Sequence, residues 1–303
     1  MITIVLIFFY LFLGLFLQKS SWFPTNTYKQ LNKIVIYLCL PALSLFYIPK
    51  IHWNNQLLYP IAVAWIGFVG AFVLFWLLSK KYGWSKKLTG CLILTAGLGN
   101  TAFLGFPIIE ALYGEEGLKT AILVDQPGSF VVLSTLGILV ATVYSKEEKS
   151  SAQIIQKILV FPPFLTFVIA CLMNIYGFDF QLWVQELFKL AGKGVTPLAL
   201  VSVGLQLRFE TKSQHWKFLA LGLLYKLIIT PAIIYFLYVL VWNQHSKTIE
   251  VAILEAAMAP MITATILASS HGLKPRLSSM MIGFGIPISF ISLFIWYCIL
   301  KWI

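Results

Sequence analysis

"GLGNTAFLGFP", residues 97–107, is the stretch on which the fold turns. Its first six residues, Gly97 to Ala102, satisfy the G-x-G-x-x-G/A pattern of a dinucleotide-binding turn. That pattern needs a β-strand before it, a helix after it and an acidic residue about 20 positions on. Here the stretch lies inside an apolar run, 88–112, with helix-like sequence on both sides. No G-x-x-x-x-G-K-[ST] loop occurs, so the chain by itself is no ATP-driven pump. The stretch reads instead as a deliberately broken helix. Gly97, Gly99 and Gly105 weaken the helix, and Pro107 removes a donor and frees a carbonyl. Asn100 and Thr101 add polar groups near the middle of the run.

Such a break has two meanings in lipid. Small residues permit tight helix packing, with Asn100 as an interhelical clamp. Alternatively, the freed backbone lines a protein-enclosed or water-filled site, the other setting in which lipid tolerates it. A matching break, Ala259-Pro260 in "EAAMAPMITATILASSHGL", favours the second.

Composition supports the membrane setting. Of 303 residues, 59% are hydrophobic and 11% charged, with a mean hydropathy of +0.87. A soluble domain carries about a quarter charged residues. The net charge of +11 sits in short clusters such as "SKKYGWSKK" and "RFETKSQHWK" between apolar spans. That is the pattern of basic membrane loops and excludes a nucleic-acid partner. Cys39, Cys91, Cys171 and Cys298 each fall in apolar runs without CxxC spacing, and read as small buried hydrophobes rather than a metal site or disulfide framework. His52, His215 and His245 lie near span ends and read as interfacial. The first apolar run lacks a basic leader and an A-x-A-like site, so it reads as a retained span.

A bilayer core takes roughly 20 apolar residues per helix. The qualifying runs are 2–18, 31–49, 56–79, 88–112 and 118–144, then 155–176, 186–206, 216–242, 249–271 and 276–302. Trp22, Trp53, Trp84, Trp183, Trp216 and Trp242 fall near their ends, as an aromatic belt requires. The loops after the odd-numbered runs, with the run ends beside them, hold fifteen Lys and Arg, from Lys19 through Lys80, Lys146, Lys149, Lys157, Arg208 and Lys212 to Arg276, against five at the opposite ends. The positive-inside rule then puts both termini on the non-cytoplasmic side.

The two halves resemble each other. "LCLPALSL" in the second run answers "GVTPLALVSVGL" in the seventh, and the fourth run answers the ninth. Five runs per half is an odd number, so the second copy is inverted, the pattern of a transporter built around interrupted helices. The expected organisation is a first repeat at 1–144, a cytoplasmic linker at 145–154 and an inverted repeat at 155–303.

At these residues the chain resembles the auxin efflux carrier family. The resemblance is carried by "LNKIVIYLCLPALSLF", "GLGNTAFLGFPIIEALYGEEGL", "TPLALVSVGLQL", "KLIITP" and "EAAMAPMITATILASSHGL", in that order along nearly the whole chain. It implies an all-α polytopic membrane protein of ten transmembrane helices in two inverted five-helix repeats. The architecture is similar to bile-acid symporters and sodium/proton antiporters, with broken helices 4 and 9 crossing. It further implies a scaffold of helices 1, 2, 6 and 7 that forms a homodimer, a moving transport unit and a bacterial inner-membrane location. The long hydrophilic loop of the plant exporters is absent, and their acidic and basic support pair has no counterpart in "LYPIAVAWIGFVGAFVLFW". The chain therefore resembles short bacterial malonate or malate carriers more than auxin exporters.

Ionisable groups inside apolar runs carry function by default. Lys226 lies about ten residues into the eighth run, roughly 15 Å deep at 1.5 Å per residue. It compensates either a substrate carboxylate, the dipole ends of the crossed helices, or a neighbouring acid. Asp125 with Gln126, and Glu255 before the ninth-run break, are candidates for a coupling proton or Na+, or for an ion pair with Lys226. Glu110 reads as a boundary residue. Gly99, Asn100, Thr101, Pro260, Met261 and Lys226 are the substrate-site candidates, and Gly97, Gly105, Pro107 and Ala259 the break residues. Half-helix N-termini at the breaks would offer free backbone donors to an anion. The expected activity is secondary transport of a small mono- or dicarboxylate by elevator-type alternating access, with no enzymatic activity, no cofactor and no metal. An exporter of auxin-like or other amphipathic acids is one alternative, and a channel or receptor on the same bundle another.

Overall fold

The computed structural model describes residues 2–19, 24, 26–52, 54–145, 162–207, 209 and 213–302, with side chains from Val5 onward. Trp22, Trp53, Lys146, Lys149, Lys157, Arg208, Lys212 and the 145–154 linker beyond Ser145 lie outside the described residues.

Every described element is helical. The helices are α1 (Ile2–Gln18), α2 (Thr27–Lys50), α3 (Asn55–Tyr82), α4 (Lys86–Gly97), α5 (Thr101–Tyr144) and α6 (Pro162–Ile175). They are followed by α7 (Leu182–Gln206), α8 (Trp216–Val241), α9 (Lys247–Ala256), α10 (Ile262–Ser270) and α11 (Pro275–Lys301). Six of them, α2, α3, α5, α7, α8 and α11, are long and apolar enough to cross a membrane, and α1 and α6 are shorter apolar helices. The chain is a multi-pass membrane protein.

Some boundaries differ from the sequence reading. The runs expected to start at 31 and 186 start at Thr27 and Leu182, because the turns "TYKQ" and "LWVQ" continue those helices outward. The break expected between 112 and 118 is present but short: Gly114, at φ 65° and ψ −158°, ends one helical segment of α5 and the next begins at Glu115. Glu115 and Glu116 open the turn after it, where a helix dipole favours acids, and Lys119 pairs with Glu116 at 2.6 Å.

Prolines explain three of the irregular turns. Wide π turns at Val35–Cys39, Thr101–Gly105 and Tyr225–Ile229 each end two residues before a proline: Pro41, Pro107 and Pro231. Proline has no N–H, and its ring clashes with the carbonyl four residues back, so the preceding turn widens. At Pro231 that carbonyl is Leu227 O, which accepts the indole N–H of Trp296 at 3.1 Å. Thr230 Oγ1 donates to Tyr225 O at 3.0 Å. At Pro231 a borrowed indole donor thus satisfies the carbonyl the proline frees, while Tyr225 O also takes the Thr230 backbone N–H.

The chain forms two compact units. The first comprises the described residues of Met1–Asn55, Ala102–Ile122 and Lys157–Leu207. In it α1 lies backbone to backbone on the second half of α7: a Cβ at Gly14 would sit 2.3 Å from Val201 O, and one at Gly204 2.3 Å from Leu11 O. Small residues allow that approach where lipid gives no hydrophobic drive. Gln18 Nε2 donates to Leu205 O and Leu207 O, both at 2.9 Å, closing the end of α7. Asn174 Nδ2 faces the carbonyls of Ile48, Pro49 and Ile51 at 3.1, 2.8 and 2.8 Å, capping α2.

The second unit comprises the described residues of Gln56–Thr101, Leu123–Gln156 and Arg208–Ile303. Its core packs Phe68 and Phe75 of α3 with Leu92, Ile93 and Leu94 of α4, Tyr225 of α8 and Met280 and Met281 of α11. Tyr225 Oη donates to Gly67 O at 2.7 Å, and Tyr238 Oη to Tyr59 O at 2.7 Å, tying α8 to α3. The candidate site lies in this unit.

Candidate functional site

The break in the opening stretch is real, and it meets its partner. Helix α4 stops at Gly97, and Leu98 turns extended at φ −120°, ψ 138°. Helix α9 stops at Ala256, and the chain is extended again by Met261 at φ −67°, ψ 125°. The two interruptions run antiparallel, with Gly99 bridged to Pro260. Asn100 N–H donates to Ala259 O at 2.8 Å, and Met261 N–H to Leu98 O at 3.0 Å. Each break therefore supplies the other with the hydrogen bonds that lipid cannot.

This bridge takes up two of the amides at the breaks. The amides of Asn100 and Met261 are spent on the bridge, so they are not free for an anion. The free donors belong to the first residues of the helices that follow, Thr101 of α5 and Ile262 and Thr263 of α10, since the first turn of a helix lacks internal acceptors.

Glycines make the approach possible. A Cβ at Gly97 would lie 2.9 Å from Phe68 Cδ2 and 3.2 Å from Ala71 Cβ, so its role is close packing on α3. A Cβ at Gly99 would lie 3.0 Å from Lys226 Nζ. Gly285 of α11, which the sequence reading did not single out, leaves room for Pro260: a Cβ there would come within 2.7 Å of the proline Cδ. The signal was present in "MIGFGIP", but small residues in an apolar run do not announce what they pack against. Gly105 closes the π turn of α5, and Pro107 begins its regular part.

The charged groups gather at the bridge, and all are buried. Lys226 Nζ donates to Ala256 O, the last residue of α9, at 2.7 Å. Thr101 Oγ1 donates to Asp125 Oδ1 at 2.6 Å. Of the three roles open to Lys226, the ion pair is not the one adopted: among the described residues no acid oxygen lies within 4 Å of its ammonium. It sits instead on the carbonyl end of a helix. Asn100 Nδ2, Gln126 Oε1 and both oxygens of Glu255 are buried without a hydrogen-bond partner. Such groups cost free energy and call for an explanation. Glu110 belongs to the first unit, half-buried, where Thr196 Oγ1 donates to it at 3.2 Å.

Residues 1–297 match the family model described as "Membrane transport protein". The chain belongs to this membrane transport protein family, that of the auxin efflux carriers. It is 27% identical to an uncharacterized transporter of Methanothermobacter thermautotrophicus, over 98% of this chain and 97% of the relative. It is also 27% identical to one of Methanocaldococcus jannaschii, over 90% and 89%, and 22% identical to one of Escherichia coli K12, over 87% and 86%. The bridged breaks therefore lie in a membrane transport protein.

Proposed function

We propose that this transporter moves a small organic anion, a mono- or dicarboxylate of the malate or malonate class, by elevator-type alternating access. The observation that carries the reading is Asn100 Nδ2, a buried donor with no partner, beside the N-termini of α5 and α10. Two helix N-termini and an amide donor suit a carboxylate. Gly99, Thr101, Pro260 and Met261 shape that place, and Lys226 supplies positive charge behind it. Asp125, Gln126 and Glu255 are where a coupling proton or Na+ would be carried.

The chain is read as ten spans in two inverted repeats, 1–144 and 155–303, with helices 4 and 9 broken. The compact units support a division into scaffold and moving part. The first collects the spans of residues 2–18, 31–49, 162–175 and 186–206, matching helices 1, 2, 6 and 7, and adds 102–122; the second collects the others. A homodimer through the scaffold, both termini outside the cytoplasm and a bacterial inner-membrane location complete the reading. A thermal-shift screen of malate, malonate and indole acetate against purified protein tests it. The expected result is stabilisation by a small carboxylate, abolished by Asn100→Ala. No shift with any carboxylate, from protein that melts cooperatively, removes the anion claim.

A further inference from the structure

A crossing of two broken helices brings two carbonyl ends, those of α4 and α9, into one buried centre. Both carry partial negative charge and need a donor or a cation. At α9 the supply is internal: Ala256 O, on its last residue, takes the Lys226 ammonium at 2.7 Å. Beyond the helix ends, the bridge carbonyls Leu98 O and Ala259 O take the amides of Met261 and Asn100. Lys226 is 2% exposed, and its carrier turn is held by Trp296 and Thr230. Gly99 leaves the room it needs: a Cβ there would lie 3.0 Å from Nζ and 3.3 Å from both Lys226 Cε and Glu255 O. Position, charge and volume at the carbonyl end of α9 are therefore all taken by one side chain.

We infer that Lys226 is a tethered cation standing where a mobile metal ion would otherwise neutralise the carbonyl end of α9, so that the protein needs no Na+ for stability or transport. A Na+ beside the ammonium would lose Ala256 O as a ligand and meet a like charge in a buried setting. This narrows the coupling ion of the transport reading and rests on that reading only where uptake is measured.

The test is the melting midpoint of the purified protein in NaCl against choline chloride at equal ionic strength, with methylammonium chloride as a third arm. Wild-type protein is expected to melt at one temperature in Na+ and choline. Lys226→Ala is expected to melt several degrees lower in choline and to recover part of the loss in methylammonium or Na+, since a small cation can enter the vacated place. Lys226→Arg, which keeps the charge, should stay indifferent to Na+. A Na+-specific rise in the wild-type midpoint overturns the inference, and so does a Lys226→Ala protein as stable in choline as the wild type. Should Lys226→Ala fail to fold, the wild-type comparison alone decides. These readouts need no substrate, so they stand even if no carboxylate is transported. If one is, its uptake into proteoliposomes should be equal with inward Na+ and inward choline.

Discussion

Thr101 shows how much one hydroxyl can carry in a buried centre. It gives Asp125 its hydrogen bond at 2.6 Å from the first position of α5. Thr101→Val keeps the shape and removes the donor, leaving the acid unpartnered at a cost of ~1–3 kcal/mol. Thermal melting should show that loss, with Thr101→Ser near wild type. Gly99→Ala drives a Cβ towards the Lys226 ammonium and should cost ~1–3 kcal/mol. Combined with Lys226→Ala it should cost less than the sum, because the residue it collides with is gone. Lys226, Asp125 and Glu255 were legible as charges where an apolar run makes charge costly. Their partners were not. A backbone carbonyl such as Ala256 O has no sequence signature, and three roles for Lys226 stayed open until its ammonium was seen on it.

Among the elements, α8 is the informative one. Pro231 removes the amide that would bond Leu227 O, and Trp296 of α11 replaces it from the side. Trp296→Phe should cost ~1–3 kcal/mol by orphaning that carbonyl. Pro231→Ala restores an amide four residues on, so the double variant should recover part of the loss, a coupling that a double-mutant melting cycle reads directly. Both broken helices were legible, because Gly, Asn and Pro crowded into apolar runs have few other uses. The wide turns were not legible, since a proline shows that a carbonyl is freed but not which group answers it. The polar "YGEEGLK" read as a break between runs, and the break is there, shortened to Gly114, with its acids starting the next helical segment.

For the whole molecule, the charge asymmetry makes a topological prediction. After replacement of the four native cysteines, His245→Cys should react with a membrane-impermeant maleimide on intact cells, and Lys81→Cys only after lysis. The reverse pattern would invert the orientation. The long apolar runs fixed the membrane class, and their spacing predicted most helix ranges. The two compact units were less visible, because each draws on both halves of the chain. The proposed anion site, formed by the bridged breaks with Asn100 at its centre, is read out by uptake of radiolabelled malate and malonate into proteoliposomes holding wild-type or Asn100→Ala protein at equal density. Wild-type protein should take them up, and the variant should lose ~tenfold or more, the worth of one buried hydrogen bond to a charged group. Equal uptake by both, or none by correctly folded wild-type protein, would contradict it.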